Sequence, residues 1–386
     1  MKKKNIAAFA VVVGAFVFTA CVISGQKKSL VSQTMADRWS ADGSEFAQIS
    51  VFFPHVQSAG ESDADFIGEA IKKNINEGAF VSSDNDPDNI WTDAYSSEAV
   101  TASVFSSNDG NTVIGENSSG KNADQVSTEL SIIGIGGQFF DFHPLELLNG
   151  NYIYTDEIRE DRVVLDEEAA WNLFSSLDIV GMNLWVNGTQ FEVAGVVKHE
   201  SEKVVKASYP SRPIMYIHYS MLDAASIKSP LVCYEAVMPN PVDNYAKNAV
   251  LAAYGIDTMA SSQAELEKNI KALNVEVLDN TSRYSVSSLF TSLKKFGENT
   301  VVLKATGYPY WENAARILMS KLTIWFGAAC LSGAAAIIMI IIFIAKLYLR
   351  RTWHLKDFIE KLTYKYTYKK KISDYINIDE KTSENK

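Results

Sequence analysis

A run of alternating carboxylates, Asp84-Asn85-Asp86-Pro87-Asp88, has a spacing that suits metal binding. Acidic side chains at the first, third and fifth positions are how a calcium-binding loop begins. Such a loop also needs a glycine at its sixth position and a glutamate at its twelfth, where this sequence has Asn89 and Tyr95. Pro87 further stiffens the backbone. We therefore interpret the run as a solvated loop, and we predict neither a metal site nor another cofactor.

Residues suited to acid–base or nucleophilic catalysis do not form a known pattern. The sequence has no Gly-x-Ser-x-Gly, no Gly-x-x-x-x-Gly-Lys-Ser/Thr and no His-Glu-x-x-His motif. Gly134-Ile135-Gly136-Gly137 is interpreted as a strand end with flexible turns. The five histidines are scattered, which favours ordinary surface or core roles: His55, His143, His199, His218 and His354. We predict that the protein is not an enzyme.

Two uncharged apolar runs, Ile6–Ile23 and Leu322–Ala345, are the longest elements that the sequence predicts. The second has 24 residues, and a helix of that length crosses a hydrocarbon core of roughly 30 Å. The first has three interpretations: a cleaved signal peptide, a lipoprotein signal that ends at a lipidated Cys21, and an uncleaved anchor helix. Because its apolar character continues past Cys21 and Phe18 fits a lipoprotein signal poorly, we favour the anchor.

Basic residues at the outer flanks of these runs predict the topology. Lys2, Lys3 and Lys4 precede the first run, and 11 Lys/Arg lie from Lys346 onward. Basic residues that flank membrane helices stay in the cytoplasm. We therefore expect a two-pass protein of the cell membrane, with both termini in the cytoplasm and the middle of the chain outside. We expect an anchor at 1–26, an outer domain at 27–320, a second membrane helix at 321–346 and a basic cytoplasmic tail at 347–386.

The part of the chain between the membrane flanks is acidic. Residues 27–345 hold 22 basic and 40 acidic side chains, a formal charge of −18, which disfavours nucleic acid as a partner. Cys21 and Cys330 lie in the apolar runs, so Cys233 is alone in the outer part. We therefore expect no internal disulfide there and a fold held by its core.

The outer part alternates strand-like and helix-like patterns, which predicts an α+β domain. The predicted strands are Gln48–Pro54, Glu98–Phe105, Ser127–Ile135, Leu231–Met238 and Val275–Leu278. The predicted helices are Asp63–Ile75, Glu167–Phe174, Val242–Tyr254, Gln263–Leu273 and Ser285–Phe296. Short strands and tight turns between about 139 and 230 predict an inserted β-rich part, and the polar stretch between Ile75 and Glu98 is expected to be a loop.

Turn residues separate the strands of this β-rich part. Gly150 and Gly181 stand where the chain must turn with a positive φ, and Asn187-Gly188 between two strand patterns is typical of a type I′ hairpin. Gly195 lies in the strand pattern Val-Ala-Gly-Val-Val that follows. We interpret these residues as structural.

Three successive elements of this β-rich part form a pattern of their own. The residues of the first element are Phe139, Phe140, Leu147, Leu148 and Gly150, and those of the second are Val163, Val164, Leu165, Glu168, Ala169, Leu173 and Phe174. The third element supplies Asp178, Gly181, Phe191, Val193, Gly195, Val196 and Val197. These elements resemble the extracytoplasmic core domain of MacB-type, FtsX-like ABC transporter permeases, and the close match covers about sixty residues.

The resemblance implies an outer domain that moves when a separate or fused cytoplasmic ATPase binds ATP. Three further helices normally follow the domain in this family, and here one follows, while the sequence after it does not reproduce the family's coupling segment. We therefore expect a permease-like subunit that works beside an ATPase and a fuller permease subunit. The alternative is a membrane-tethered protein that binds or senses a ligand outside the cell without transport.

The tail Leu347–Lys371 interleaves apolar and basic residues. Such a pattern suits a basic amphipathic helix, which lies on membrane lipids or docks on a cytoplasmic protein. We expect Arg350, Arg351, Trp353 and Phe358 to provide partner contacts.

Overall fold

A computed structural model describes most of the chain. The described residues are 3–27, 30–39, 45–54, 58–78, 90–107, 125–256, 262–273, 275–295, 308–349, 359–360 and 363–368. They divide into two compact units. One unit comprises Met1–Ala20 and Ala328–Lys386, and the other comprises Cys21–Gly327.

Two long apolar helices supply the smaller unit. Helix α1 spans Lys3–Lys27, and the last helix, α11, spans Tyr310–Leu349 and contributes its second half to this unit. Both are long and apolar enough to cross a membrane, and only 6% and 11% of their most apolar stretches are buried. That exposure is the opposite of what the core helix of a soluble protein would have. Two helices with the properties of membrane spans are therefore present, as expected.

The larger unit carries further α-helices. They are α2 (Met35–Trp39), α3 (Glu61–Glu77), α4 (Phe139–Phe142), α5 (Glu167–Phe174), α6 (Lys203–Lys206), α7 (Met221–Ala224), α8 (Tyr245–Ala253), α9 (Gln263–Ala272) and α10 (Val286–Lys294). The α5 bounds coincide with those predicted, because Asp166 caps the first turn by accepting a hydrogen bond from the Ala169 amide.

Eleven strands form one sheet among the described residues of the larger unit. They are β1 (Phe46–Phe52), β2 (Thr92–Ser97), β3 (Val100–Ser107), β4 (Gln125–Gly137), β5 (Leu147–Gly150), β6 (Arg162–Asp166), β7 (Asn183–Val186), β8 (Thr189–Val197), β9 (Ile214–His218), β10 (Leu231–Pro239) and β11 (Glu276–Asp279). The order is β11-β1-β10-β2-β4-β3-β7-β8-β6-β9, and β5 pairs with β8.

The second half of this sheet closes on itself. Strand β9 pairs in parallel with β4, so that β4, β3, β7, β8, β6 and β9 form a barrel around a buried apolar core. The β-rich part expected at 139–230 supplies β6 to β9 of this barrel, while β3 and β4 come from earlier in the chain. Strand β4 joins the barrel to the other strands because its end, Ile135–Gly137, pairs with β2.

The prediction of a loop between Ile75 and Glu98 was wrong for Thr92–Ser97, which is strand β2. Its sequence is polar, yet it lies between β10 and β4 and its last four residues are buried. Ladder hydrogen bonds to two neighbouring strands satisfy the backbone here, so the strand does not depend on an apolar pattern of its own.

Candidate functional site at the first turn of the long helix

Helix α11 begins with three buried residues, Tyr310, Trp311 and Glu312. Glu312 has no exposed surface. The same helix runs without a break from this turn into the apolar run Leu322–Ala345. A shift of the helix along its axis therefore moves these three side chains.

Among the described residues, two arginines form ion pairs with Glu312. Arg283, in the turn before α10, donates from Nη1 to Glu312 Oε2 at 2.6 Å and from Nη2 to Oε1 at 2.8 Å. Arg316, one turn along α11, donates from Nε to Glu312 Oε1 at 2.7 Å. The two-pronged geometry of a guanidinium on a carboxylate fixes orientation as well as distance. This ion pair therefore holds α11 against the turn before α10.

Arg316 extends this connection to strand β11. Its Nη2 lies 3.0 Å from both carboxylate oxygens of Glu276. The Tyr308 hydroxyl donates to the same carboxylate, and the Arg316 guanidinium lies 3.8 Å from the centre of the Tyr308 ring. Helix α11 thus contacts the edge of the sheet, since β11 is a terminal strand in the sheet order.

Trp311 packs on a second region of the larger unit, the segment around α4. Its ring centre lies 4.4 Å from that of His143 and 5.5 Å from that of Phe139. His143 Nε2 lies 2.5 Å from Glu235 Oε2, and both side chains are buried. Gln48 of β1 donates to the other oxygen of Glu235. Trp311 therefore rests on a hydrogen-bonded pair in the middle of the sheet.

Tyr310 reaches a third region, the barrel. Its hydroxyl donates to Glu200 Oε2 at 2.7 Å and lies 3.1 Å from the hydroxyl of Tyr216 on β9. Tyr209 packs edge-on against the Tyr310 ring and donates a hydrogen bond to Asp166 of β6. The beginning of α11 thus contacts the sheet edge, the sheet centre and the barrel.

Burial raises the pKa of Glu200, although the hydrogen bond from Tyr310 opposes that rise. A carboxyl group whose pKa is higher in the folded than in the unfolded state keeps its proton up to a higher pH when the protein is folded. Its contribution to stability is therefore present at low pH and is lost as the pH rises through the folded pKa.

We therefore predict that Glu200→Gln gains stability relative to the natural protein as the pH rises from about 4 to 7, because glutamine has no proton to lose. The measurement is the difference in thermal midpoint between the two proteins across that range. A difference that does not change with pH would contradict a raised pKa for Glu200.

Among the residues that the structure describes, no three or more His, Cys, Asp or Glu come together to hold a metal ion. His143 and His199 each face one carboxylate, and burial lowers the pKa of His218. Several residues singled out in the sequence lie outside the described residues: His55, His354, Asp84–Asp88, Arg350, Arg351, Trp353 and Phe358.

The predicted turn residues lie in or beside strands β5, β7 and β8. Gly150, Gly181, Asn187 and Gly188 have positive φ, at 75°, 82°, 46° and 86°. Gly150 pairs with Gly195 between β5 and β8, and a Cβ on Gly195 would lie 2.3 Å from the carbonyl oxygen of the residue after Gly150. Gly150 and Gly195 therefore allow β5 to approach β8 closely.

Tyr310, Trp311 and Glu312 were not among the site residues predicted from the sequence. One signal was present, because two aromatic residues and an acid follow Pro309 shortly ahead of a membrane helix. Aromatic residues are common near membrane interfaces, so this signal alone does not distinguish burial in protein from contact with headgroups. Their partners, from His143 to Arg283, are too distant in sequence for a local pattern to reveal.

Similarity to known proteins identifies the family of this chain. Residues 5–269 match the family model of the MacB-like periplasmic core domain. The periplasmic region of MacB from Actinobacillus actinomycetemcomitans aligns with 61% of this chain and 89% of its own, at 18% identity and a TM-score of 0.36. The extracellular domain of the noncanonic ABC-type transporter YknZ from Gram-positive bacteria aligns with 60% and 99%, at 14% identity and a TM-score of 0.35. No curated protein matches the sequence.

The family match extends over more than half of the chain, from α1 into α9. The first turn of α11 lies beyond the matched range. With its two apolar helices and its mixed α/β larger unit, the chain belongs to the family of membrane proteins that carry a MacB-like periplasmic core domain.

Proposed function

We propose that this chain is a permease-like membrane subunit of an ABC transporter complex, and that it relays motion driven by ATP in the cytoplasm to its outer domain. The resemblance to MacB-type permeases and the family match support a transporter component. The proposal specifies neither a substrate nor a direction of transport.

The observation that carries the proposal is the buried first turn of α11. Tyr310, Trp311 and Glu312 contact three separate regions of the outer unit, and the helix that carries them continues as an apolar membrane helix. A helix whose end is bonded into a domain passes on a displacement that a solvated linker would absorb. The relay acts on the sheet through Glu312 and Arg316 and on the barrel through Tyr310.

The partners in this proposal are a cytoplasmic ABC ATPase and a fuller permease subunit, in addition to membrane lipids. Both termini lie in the cytoplasm, and residues 27–320 lie outside. The basic tail 347–386 docks on the ATPase through Trp353 and Phe358, while Arg350 and Arg351 lie near the lipid headgroups.

Deletion of Trp353–Lys386 tests this docking. The shortened chain keeps Arg350 and Arg351, so we expect it to insert into the membrane and to co-purify less with the ATPase. The matched control removes only Asn377–Lys386, which spares Trp353 and Phe358 and should leave the yield unchanged. Full co-purification of the chain without Trp353–Lys386 would mean that coupling runs through helix contacts inside the membrane.

Hydrogen exchange of the assembled complex, with and without ATP, tests the relay itself. We expect ATP to change the protection of amides in β9 and β11, the strands connected to α11. Tyr310→Phe removes only the hydroxyl that bonds Glu200, so it should weaken the response of β9 and leave that of β11. An outer domain that exchanges identically in both conditions would refute the relay.

A cavity beside the same turn favours the second candidate function, a membrane-tethered protein that binds or senses a ligand. It measures about 280 Å³ and is lined by Tyr308, Tyr310, Trp311, Asn313 and serines of the sheet. A ligand there would contact the first turn of α11 directly. This function predicts that the exchange of β9 and β11 responds to the ligand in a chain purified without an ATPase.

A further inference from the structure

Helix α10 lies against the part of α11 where the apolar run begins. Thr323 Oγ1 donates a hydrogen bond to Ser292 Oγ at 2.9 Å, and both side chains are buried. Leu293 lies beside Gly327, where a Cβ on the glycine would be 3.3 Å from the leucine methyl. Gly327 is five residues beyond Leu322, the start of the run, which is about 7.5 Å along the helix. The end of α10 is therefore held beside the beginning of the apolar run of α11.

The face of α10 that turns away from α11 combines apolar and basic side chains. Val286, Phe290 and Lys294 follow at intervals of four and share this face. Phe290 is 49% exposed, and Lys294 Nζ lies 4.6 Å from the centre of its ring. Lys295 is exposed beside them. This is an amphipathic surface with two lysines beside the apolar run, in a part of the chain, 27–345, that is otherwise strongly acidic.

We propose that this face of α10 binds the outer surface of the bilayer, with Phe290 among the lipid chains nearest the surface and Lys294 and Lys295 on anionic phosphate headgroups. The Ser292–Thr323 hydrogen bond fixes the position of α10 along α11. That position suits an interfacial helix, which buries its apolar face by roughly 5–10 Å. Lysine stems lie along apolar surface while the ammonium group reaches the headgroups, as the position of Lys294 on Phe290 allows. Charge complementarity selects lipid phosphate as the occupant.

Spin labels in the full chain, reconstituted in vesicles of phosphatidylglycerol and phosphatidylcholine, test the proposal. Cys21 and Cys330 are changed to serine, and the buried Cys233 stays. One variant carries Phe290→Cys, and the matched control carries Phe66→Cys on α3, where the natural side chain is 51% exposed. We expect oxygen, which concentrates in lipid, to relax the label at 290 more than a water-soluble nickel chelate does, and the reverse at 66.

Two outcomes overturn the proposal. A label at 290 with the water exposure of the label at 66 would mean that the face lies in solvent. A label at 290 shielded from both reagents would mean that protein covers it.

A charge reversal tests the headgroup contact separately. Lys294→Glu together with Lys295→Glu should make the label at 290 more accessible to nickel in phosphatidylglycerol vesicles. The control reverses Lys72 and Lys73 of α3, an equal change in charge, with no expected effect at 290. If the accessibility of the label at 290 does not change after Lys294→Glu with Lys295→Glu, the lysines do not contact the headgroups. If the label lies equally deep in vesicles of pure phosphatidylcholine, the contact does not need anionic lipid.

Discussion

Replacement of Glu312 by alanine is expected to destabilise the protein by about 3–5 kcal/mol, the usual cost of removing one partner from a buried ion pair. Arg283 would keep its charge inside the protein without the carboxylate that holds it at 2.6 and 2.8 Å. Arg316 would keep Glu276 and lose its bond to Glu312. The measurement is thermal and denaturant unfolding of the purified full chain in detergent.

Two controls separate the charge from the loss of packing. Glu276→Ala removes a carboxylate that is 41% exposed, so about 1 kcal/mol or less is expected. The double change Arg283→Met with Glu312→Leu removes both charges and fills similar volume, so it should recover most of the stability lost in Glu312→Ala. A double variant as unstable as the single one would show that shape, not charge, sets the cost.

Replacement of Gly150 by alanine is expected to cost about 3–4 kcal/mol, because strain and overlap add at this position. Its φ of 75° disfavours any side chain. In addition, a Cβ would lie 2.1 Å from the Ala194 carbonyl oxygen, and that backbone belongs to β8. Strand β5 would have to move away from β8, on which its pairing depends.

Gly181→Ala is the matched control for Gly150→Ala. Its φ of 82° is nearly the same, but an added Cβ meets no atom within 4 Å. Strain alone should therefore cost about 1–2 kcal/mol. The difference between the two thermal midpoints measures the overlap, and equal midpoints would mean that β5 yields without cost.

The structure could be predicted from the sequence wherever local rules allow a residue pattern only one conformation or environment. Uncharged runs of this length form membrane helices, so α1 and the second half of α11 could be predicted. Asp166 before a helical pattern predicted the start of α5, and Asn187-Gly188 has the two positive φ values that a type I′ turn requires. The motif that resembles MacB-type domains indicated the family for the same reason, since local backbone conformation and burial determine its glycines and core residues.

Tertiary structure decided what depends on distant partners. Strand β2 exists because β10 and β4 satisfy its backbone, although Thr92–Ser97 is polar. The barrel closes because β9 pairs with β4, a register that neither strand encodes alone. The burial of Glu312 requires Arg283 and Arg316 around it, and the sequence shows only an acid ahead of a membrane helix.

The sequence by itself thus determined which segments suit a membrane, where the chain turns and which family it resembles, because each follows from hydropathy or backbone sterics within a few residues. The junction of α11 with the sheet and the barrel was decided only by the tertiary structure. A charge is stable inside a protein only when its partners surround it. Here Glu312 meets Arg283 from 29 residues away, and Glu235 meets His143 from 92 residues away.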